Sequence, residues 1–159
     1  MLIREIMDTE VAHCTEDTSL ADVYELIQES AKNYVVVIDS PQHRVPIGVV
    51  NEHSICENLI KRSRNTKGLH AGNVMSSRIR RVSEDEQVEN CRDLIAADLD
   101  AITVVNDRRQ FSGVLEPVAI RESLNRRSKT AHGSGSFVSG ILGQTIPAKA
   151  EIPAFGWLK

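Results

Sequence analysis

The chain has 159 residues, 41% hydrophobic and 26% charged, with a formal net charge of −3. That balance fits an ordinary folded domain and argues against a general pull toward nucleic acid or an acidic membrane surface. Aromatic residues are only 4%, so the core must be built from Val, Ile, Leu and Ala, and no apolar run approaches the roughly 20 residues of a bilayer span.

A short helical turn is expected at residues 3–7, followed by an extended piece at 11–14. Residues 15–18 supply cap chemistry for a helix carrying Leu20, Val23, Leu26 and Ile27 at helical spacing. Glu16, Asp17 and Asp22 put negative charge near the start of that helix, where its dipole favours it. The β-branched run at 34–38 reads as a fully buried strand. Asp39, Ser40 and Pro41 turn the chain, residues 47–50 return as its hairpin partner, and Asn51 or Ser54 caps a closing helix bearing Ile55, Leu59 and Ile60.

The same order then recurs. Shifted by 68 residues, Met7 falls on Met75, Glu16 and Asp17 on Glu84 and Asp85, Leu26 and Ile27 on Leu94 and Ile95, and Asp39 on Asp107. The second copy places an extended piece at 79–82, a helix lined by Val88, Cys91, Leu94 and Ile95, strands at 102–105 and 111–115, and a last helix with Pro117 in its first turn. Each copy is β-α-β-β-α and too small to cover both faces of its own sheet, so the expected fold is α/β (α+β), two pseudo-symmetric halves packed as one module. The divisions expected are repeat 1 at 1–62, a polar linker at 63–70, repeat 2 at 71–127 and an apolar C-terminal arm at 128–159 bearing Phe137, Phe155 and Trp157.

The duplicated motifs carry a family resemblance. Ile6-Met7-Asp8 with Val74-Met75-Ser76, Val36-Val37-Ile38-Asp39 with Val104-Val105-Asn106-Asp107, and Gly48-Val49-Val50 with Gly113-Val114-Leu115 resemble a tandem pair of cystathionine-β-synthase (CBS) domains, a Bateman-type module. The resemblance covers residues 2 to about 127. It implies a non-catalytic regulatory module that binds AMP, ADP, ATP or another adenosyl ligand in the cleft between repeats, needs no metal, and associates as a homodimer.

The same resemblance assigns ligand-binding positions. In the first repeat these are Val11 and His13 beside the first strand, Tyr34, Val35 and Val36 on the buried strand, and Asn51, His53 and Ser54 at the last helix. From the second repeat come Ile79, Arg80, Arg81 and Thr103. In the family, a Thr/Ser-x-x-Asp segment after the Gly-led strand serves phosphate and ribose, the helix N-terminus suiting an anion. Here Asn51 retains a phosphate donor, but Ser54 replaces the ribose carboxylate. In the second copy Glu116 stands where phosphate would go and Ala119 offers the ribose nothing, so the second cleft departs from the pattern. Val35 and Thr103 replace the family's frequent proline.

Other chemistry is weakly signalled. His13, His43, His53, His70 and His132 show no metal-ligand spacing. No nucleophile elbow or phosphate-binding loop ending in Lys-Ser/Thr occurs, so neither an enzyme nor a metal centre is expected. The basic clusters around residues 61–64, 78–81 and 121–129 read as solvated helix ends, or, at Arg80 and Arg81, as phosphate contacts. Three widely spaced cysteines and no apolar stretch after Glu5 suggest a cytoplasmic setting. A structural adaptor with empty clefts that recruits a partner protein is the alternative function, and no nucleic-acid or membrane partner is expected.

Overall fold

The structure, a computed structural model, describes residues 1–61 and 67–131. The arm positions Phe137, Phe155 and Trp157 lie outside the described residues, as does linker segment 62–66. Met1–Arg121 form one compact unit, which contains both repeats up to the first turn of the last helix.

In the first half, strand β1 (His13–Thr15) lies parallel to β2 (Tyr34–Ile38), which pairs antiparallel with β3 (Pro46–Asn51), giving the order β1-β2-β3. Helix α1 (Leu20–Glu29) connects the parallel pair, as such a crossover requires. Its cap is Ser19, whose hydroxyl accepts from the Asp22 amide at 3.2 Å; this moves the cap one residue past the expected segment 15–18. Thr18 instead turns back, its Oγ1 accepting from the Thr15 amide. Helix α2 (Glu52–Lys61) follows β3 directly.

The second half repeats this plan after the short α3 (Ala71–Val74): β4 (Ile79–Ser83) is parallel to β5 (Ala101–Val105), and β5 is antiparallel to β6 (Phe111–Val114). Both hairpins shift register just after the residue that pairs with the strand glycine, between Val37 and Ile38 past Val37–Gly48 and between Val104 and Val105 past Val104–Gly113. Helix α4 (Pro117–Ala131) ends the described chain. Among the described residues no helix is long and apolar enough to cross a membrane.

One element differs from its counterpart. Val88–Ile95, expected as an α-helix, is a 3-10 helix. Its buried side chains are Val88, Cys91 and Leu94, spaced by three, and a helix with three residues per turn lines that spacing up on one face. In α1 the buried pair Val23 and Ile27 is spaced by four, which suits an α-helix.

The halves exchange their leading segments. Residues 1–8 pair with the second half: the Ile3 and Arg4 amides donate to the Glu86 and Glu84 carbonyls, and Asp8 exchanges two backbone hydrogen bonds with Val114. Residues 69–76 pair with the first half in the equivalent way. The Ala71 and Gly72 amides donate to the Thr18 and Glu16 carbonyls, and Ser76 exchanges two bonds with Val49. Both glycines of the duplicated Gly-led strands sit under these crossings. A Cβ on Gly48 would lie 2.8 Å from the Ser76 carbonyl oxygen, and one on Gly113 would run into the Asp8 carbonyl.

The described residues include two apolar clusters. One lies within the first half, joining Val23 and Ile27 of α1 to Val35, Val37 and Val50 of its sheet and to Leu69, Ala71 and Val74 of the exchanged segment. The other joins the opposite faces of the two sheets, with Val36, Ile38 and Val49 against Ala101, Phe111 and Val114. That division explains why β2 carries apolar residues on both faces: alternate residues serve different cores.

Candidate functional site

The exchange creates two related clefts. In each, the start of a closing helix from one half faces the leading turn and the pre-strand loop of the other. The first cleft is a cavity of ≈ 430 Å³ lined by Asn51 at the end of β3, by His53, Ser54 and Glu57 from α2, and by Ser76, Arg78 and Asp100 from the second half. That volume falls in the range of small-molecule sites, roughly 300–1,000 Å³.

Asn51 and Ser54 form a reciprocal cap at the helix start. The Ser54 amide donates to Asn51 Oδ1 at 2.7 Å, and the Asn51 amide donates to Ser54 Oγ at 3.1 Å. The Ser54 hydroxyl then donates to the Asn51 carbonyl at 2.9 Å and is buried, so it is committed to the cap. On the facing wall, the Arg78 guanidinium makes a forked contact with Asp100, at 3.2 Å from Nη2 to Oδ1 and 3.4 Å from Nε to Oδ2, while Nη1 reaches Asp98 at 2.9 Å. The hydrogen bond and charge of Asp100 hold the Arg78 pKa above its ordinary value. Ser76 donates its hydroxyl to Asp100. At the rim, Lys61 lies 2.9 Å from Glu57 and keeps that carboxyl below its usual range.

The second cleft is filled by the protein's own charges. Lys32 Nζ sits 3.0 Å from both Glu116 and Asp8, and the Tyr34 hydroxyl donates to Glu116 at 3.4 Å. Burial, and then the Glu116 charge, push the Tyr34 phenol up. The hydrogen bond with Glu116 raises Lys32, and the Glu10 amide together with Lys32 lowers Asp8. The gap that remains beside Glu116 measures ≈ 60 Å³, room for about two waters at ~30 Å³ each.

Of the positions read from the sequence, Asn51, His53 and Ser54 are brought together at the first cleft. Tyr34 faces the second cleft instead. Val36 and Val11, with the partly buried Ile79, belong to the core between the sheets, and Val35 and Thr103 are fully buried. His13 lines a separate cavity of ≈ 350 Å³ with Thr15, Thr18 and Arg44. Arg80 and Arg81 border a third, of ≈ 200 Å³, with Glu86 and Asp93, and Arg81 donates to the Pro46 carbonyl at 2.6 Å.

The residues that the sequence reading missed are Ser76, Arg78 and Asp100, and on the other side Asp8 and Lys32. Their signal was present in the repeat: Ser76 is the 68-residue partner of Asp8, and Asp100 that of Lys32. Only the exchange of segments shows that these positions cross to the other half. A further, apolar groove of ≈ 630 Å³ lies between α1 and α2, lined by Leu20, Tyr24, Ile55, Cys56, Leu59 and Leu69 among others.

Residues 3–61 match the CBS domain family. No curated protein matches the chain. Among solved structures, a CBS domain-containing protein of unknown function from Bacillus anthracis aligns with a TM-score of 0.68 at 20% identity, covering 79% of this chain and 94% of that one. A conserved CBS domain protein of unknown function from Thermoplasma acidophilum gives 0.63 at 24%, covering 82% and 72%. CBSX2, a CBS-pair protein from Arabidopsis thaliana, in its complex with AMP gives 0.64 at 20%, covering 80% and 98%.

Proposed function

We propose, from the match of residues 3–61 to the CBS domain family and the fold the chain shares with CBS-domain pairs, that this protein is a non-catalytic regulatory module that senses an adenine-containing metabolite in its first cleft. The observation that carries this reading is the contrast between the clefts. One is an open cavity of ≈ 430 Å³ at a helix start, and the other is closed by the Lys32, Glu116 and Asp8 charges. The AMP complex of CBSX2, a protein of the same fold, supports the ligand class. Asn51 and His53 are the first-repeat contacts, Ser76 and Arg78 those of the second, and one ligand binds per chain.

A ligand selective for the native state raises stability by about 2.7 kcal/mol at a hundredfold excess over its dissociation constant. The test is therefore the melting temperature of the purified chain against adenine, adenosine, AMP and ATP. A rise with at least one of them, at a stoichiometry of one by calorimetry, is expected. No rise with any of them at millimolar concentration would transfer the assignment to an adaptor with unoccupied clefts. Self-association as a homodimer through the α1–α2 face, in the cytoplasm, belongs to the same proposal and is supported by the apolar groove there and by exposed Tyr24 lining it.

A further inference from the structure

The wall of the first cleft is poorly suited to phosphate. Glu57 and Asp100 both line it, and Glu52 occupies the first turn of α2, where the helix would otherwise favour a bound anion. Two amide groups at the helix start, those of Asn51 and Ser54, are already taken by the reciprocal cap. Among the described residues, Arg78 is the only guanidinium or ammonium group lining this cavity, and its Nε, Nη1 and Nη2 all point at Asp98 or Asp100. Arg81 is turned away to the Pro46 carbonyl. Beside the neutral side-chain amide of Asn51 and the His53 ring, what the wall offers a ligand is acceptor chemistry, carboxylate oxygens that suit hydroxyl or ammonium donors.

We propose that the first cleft selects a purine nucleoside without phosphate, its 5′ substituent uncharged or cationic, and discriminates against AMP and ATP. This rests on the adenine-ligand reading above and narrows it: the carboxylates Asp100 and Glu57 accept from the ligand's hydroxyls, and a phosphate brought to the same wall meets like charge, the described guanidinium and ammonium groups there, Arg78 and Lys61, being already paired.

The test is calorimetric titration of the full chain with four probes: adenosine, 5′-amino-5′-deoxyadenosine, AMP and ATP. Adenosine and the amine should bind, AMP about tenfold more weakly and ATP more weakly again, the size expected for one or two unscreened like-charge contacts near a protein surface. The penalty on AMP should shrink as salt is raised. In Glu57→Gln, a substitution at an exposed position, the gap between adenosine and AMP should narrow several-fold. AMP or ATP binding as tightly as adenosine would overturn the inference while leaving the adenine-ligand reading intact. Failure of all four probes to bind would overturn both.

Discussion

At the scale of single residues, the side chains that matter most are those at the two crossings. Gly48 and Gly113 pass beneath the backbone of the other half's leading turn, so the missing Cβ is a matter of contact rather than of dihedral angle. The contact at Gly113 is with backbone, which cannot swing aside, whereas at Gly48 part of it is the flexible Met75 side chain. Gly113→Ala should therefore destabilise by about 1–3 kcal/mol, the usual cost of overpacking, and Gly48→Ala by less. Urea unfolding of both variants checks this, and equal, negligible effects would mean that the crossings are looser than described. The Lys32 cluster has a pH signature. Asp8 is held low, so its contribution is present above pH 3.8 and lost as pH falls below it. Lys32 and Tyr34 are held high, so their contributions are complete below their ordinary values of 10.5 and 10.0 and are lost as pH rises through the folded values. In a Tyr24→Phe background, where Tyr34 is the one remaining tyrosine, near-ultraviolet titration should show the phenol ionising late and together with alkaline unfolding. Ionisation at the ordinary pH with the fold intact would remove the Glu116 contact from the account.

At the scale of elements, regular structure was legible wherever periodicity alone decided it. The strand at Tyr34–Ile38 falls where the β-branched run predicts, and both hairpins close as the duplicated Val-Val-Asp and Gly-Val segments imply. The 3-10 helix Val88–Ile95 was misread because its apolar residues include Ile95 as well as Val88, Cys91 and Leu94, a set that also fits an α-helical stripe. The helix starts of the first cleft were legible because Asn51 and Ser54 have cap chemistry. Its opposite wall was not. Arg78 and Asp100 lie in a turn and a loop with no period, and they reach α2 only because residues 69–76 are traded across the halves. A pattern internal to one repeat cannot report an exchange between two. Arg80 and Arg81 illustrate the same limit. They neighbour Arg78 in sequence, yet they lie within β4, paired with β5, and border another cavity.

At the scale of the whole molecule, the unit Met1–Arg121 satisfies its two sheets in different ways. Their facing sides share the core of Val36, Ile38 and Val49 with Ala101, Phe111 and Val114. On the other side of the first sheet, α1 and α2 cover the strands but leave an outer stripe uncovered: Tyr24, 51% exposed, lines the ≈ 630 Å³ groove, and Ile60, 75% exposed, follows groove-lining Cys56 by one helical turn. Large apolar side chains grouped around an apolar groove are what soluble proteins usually keep for a partner surface. The exchange makes the module pseudo-symmetric, and the homodimer proposed for it would be isologous, the same patch meeting itself across a two-fold axis. Ile60 is then the residue to probe, since a side chain so exposed in the single chain contributes little to its fold and substitution there should alter monomer stability by no more than about 0.5 kcal/mol. The wild-type chain should sediment as a dimer and show a melting temperature that rises with protein concentration, as coupled association requires. Ile60→Glu should sediment as a monomer at the same concentrations, with a melting temperature independent of dilution, because two carboxylates would meet across the axis in an apolar setting. A wild-type chain that sediments as a monomer, or an Ile60→Glu dimer indistinguishable from wild type, would show that the α1–α2 face is not where two copies meet.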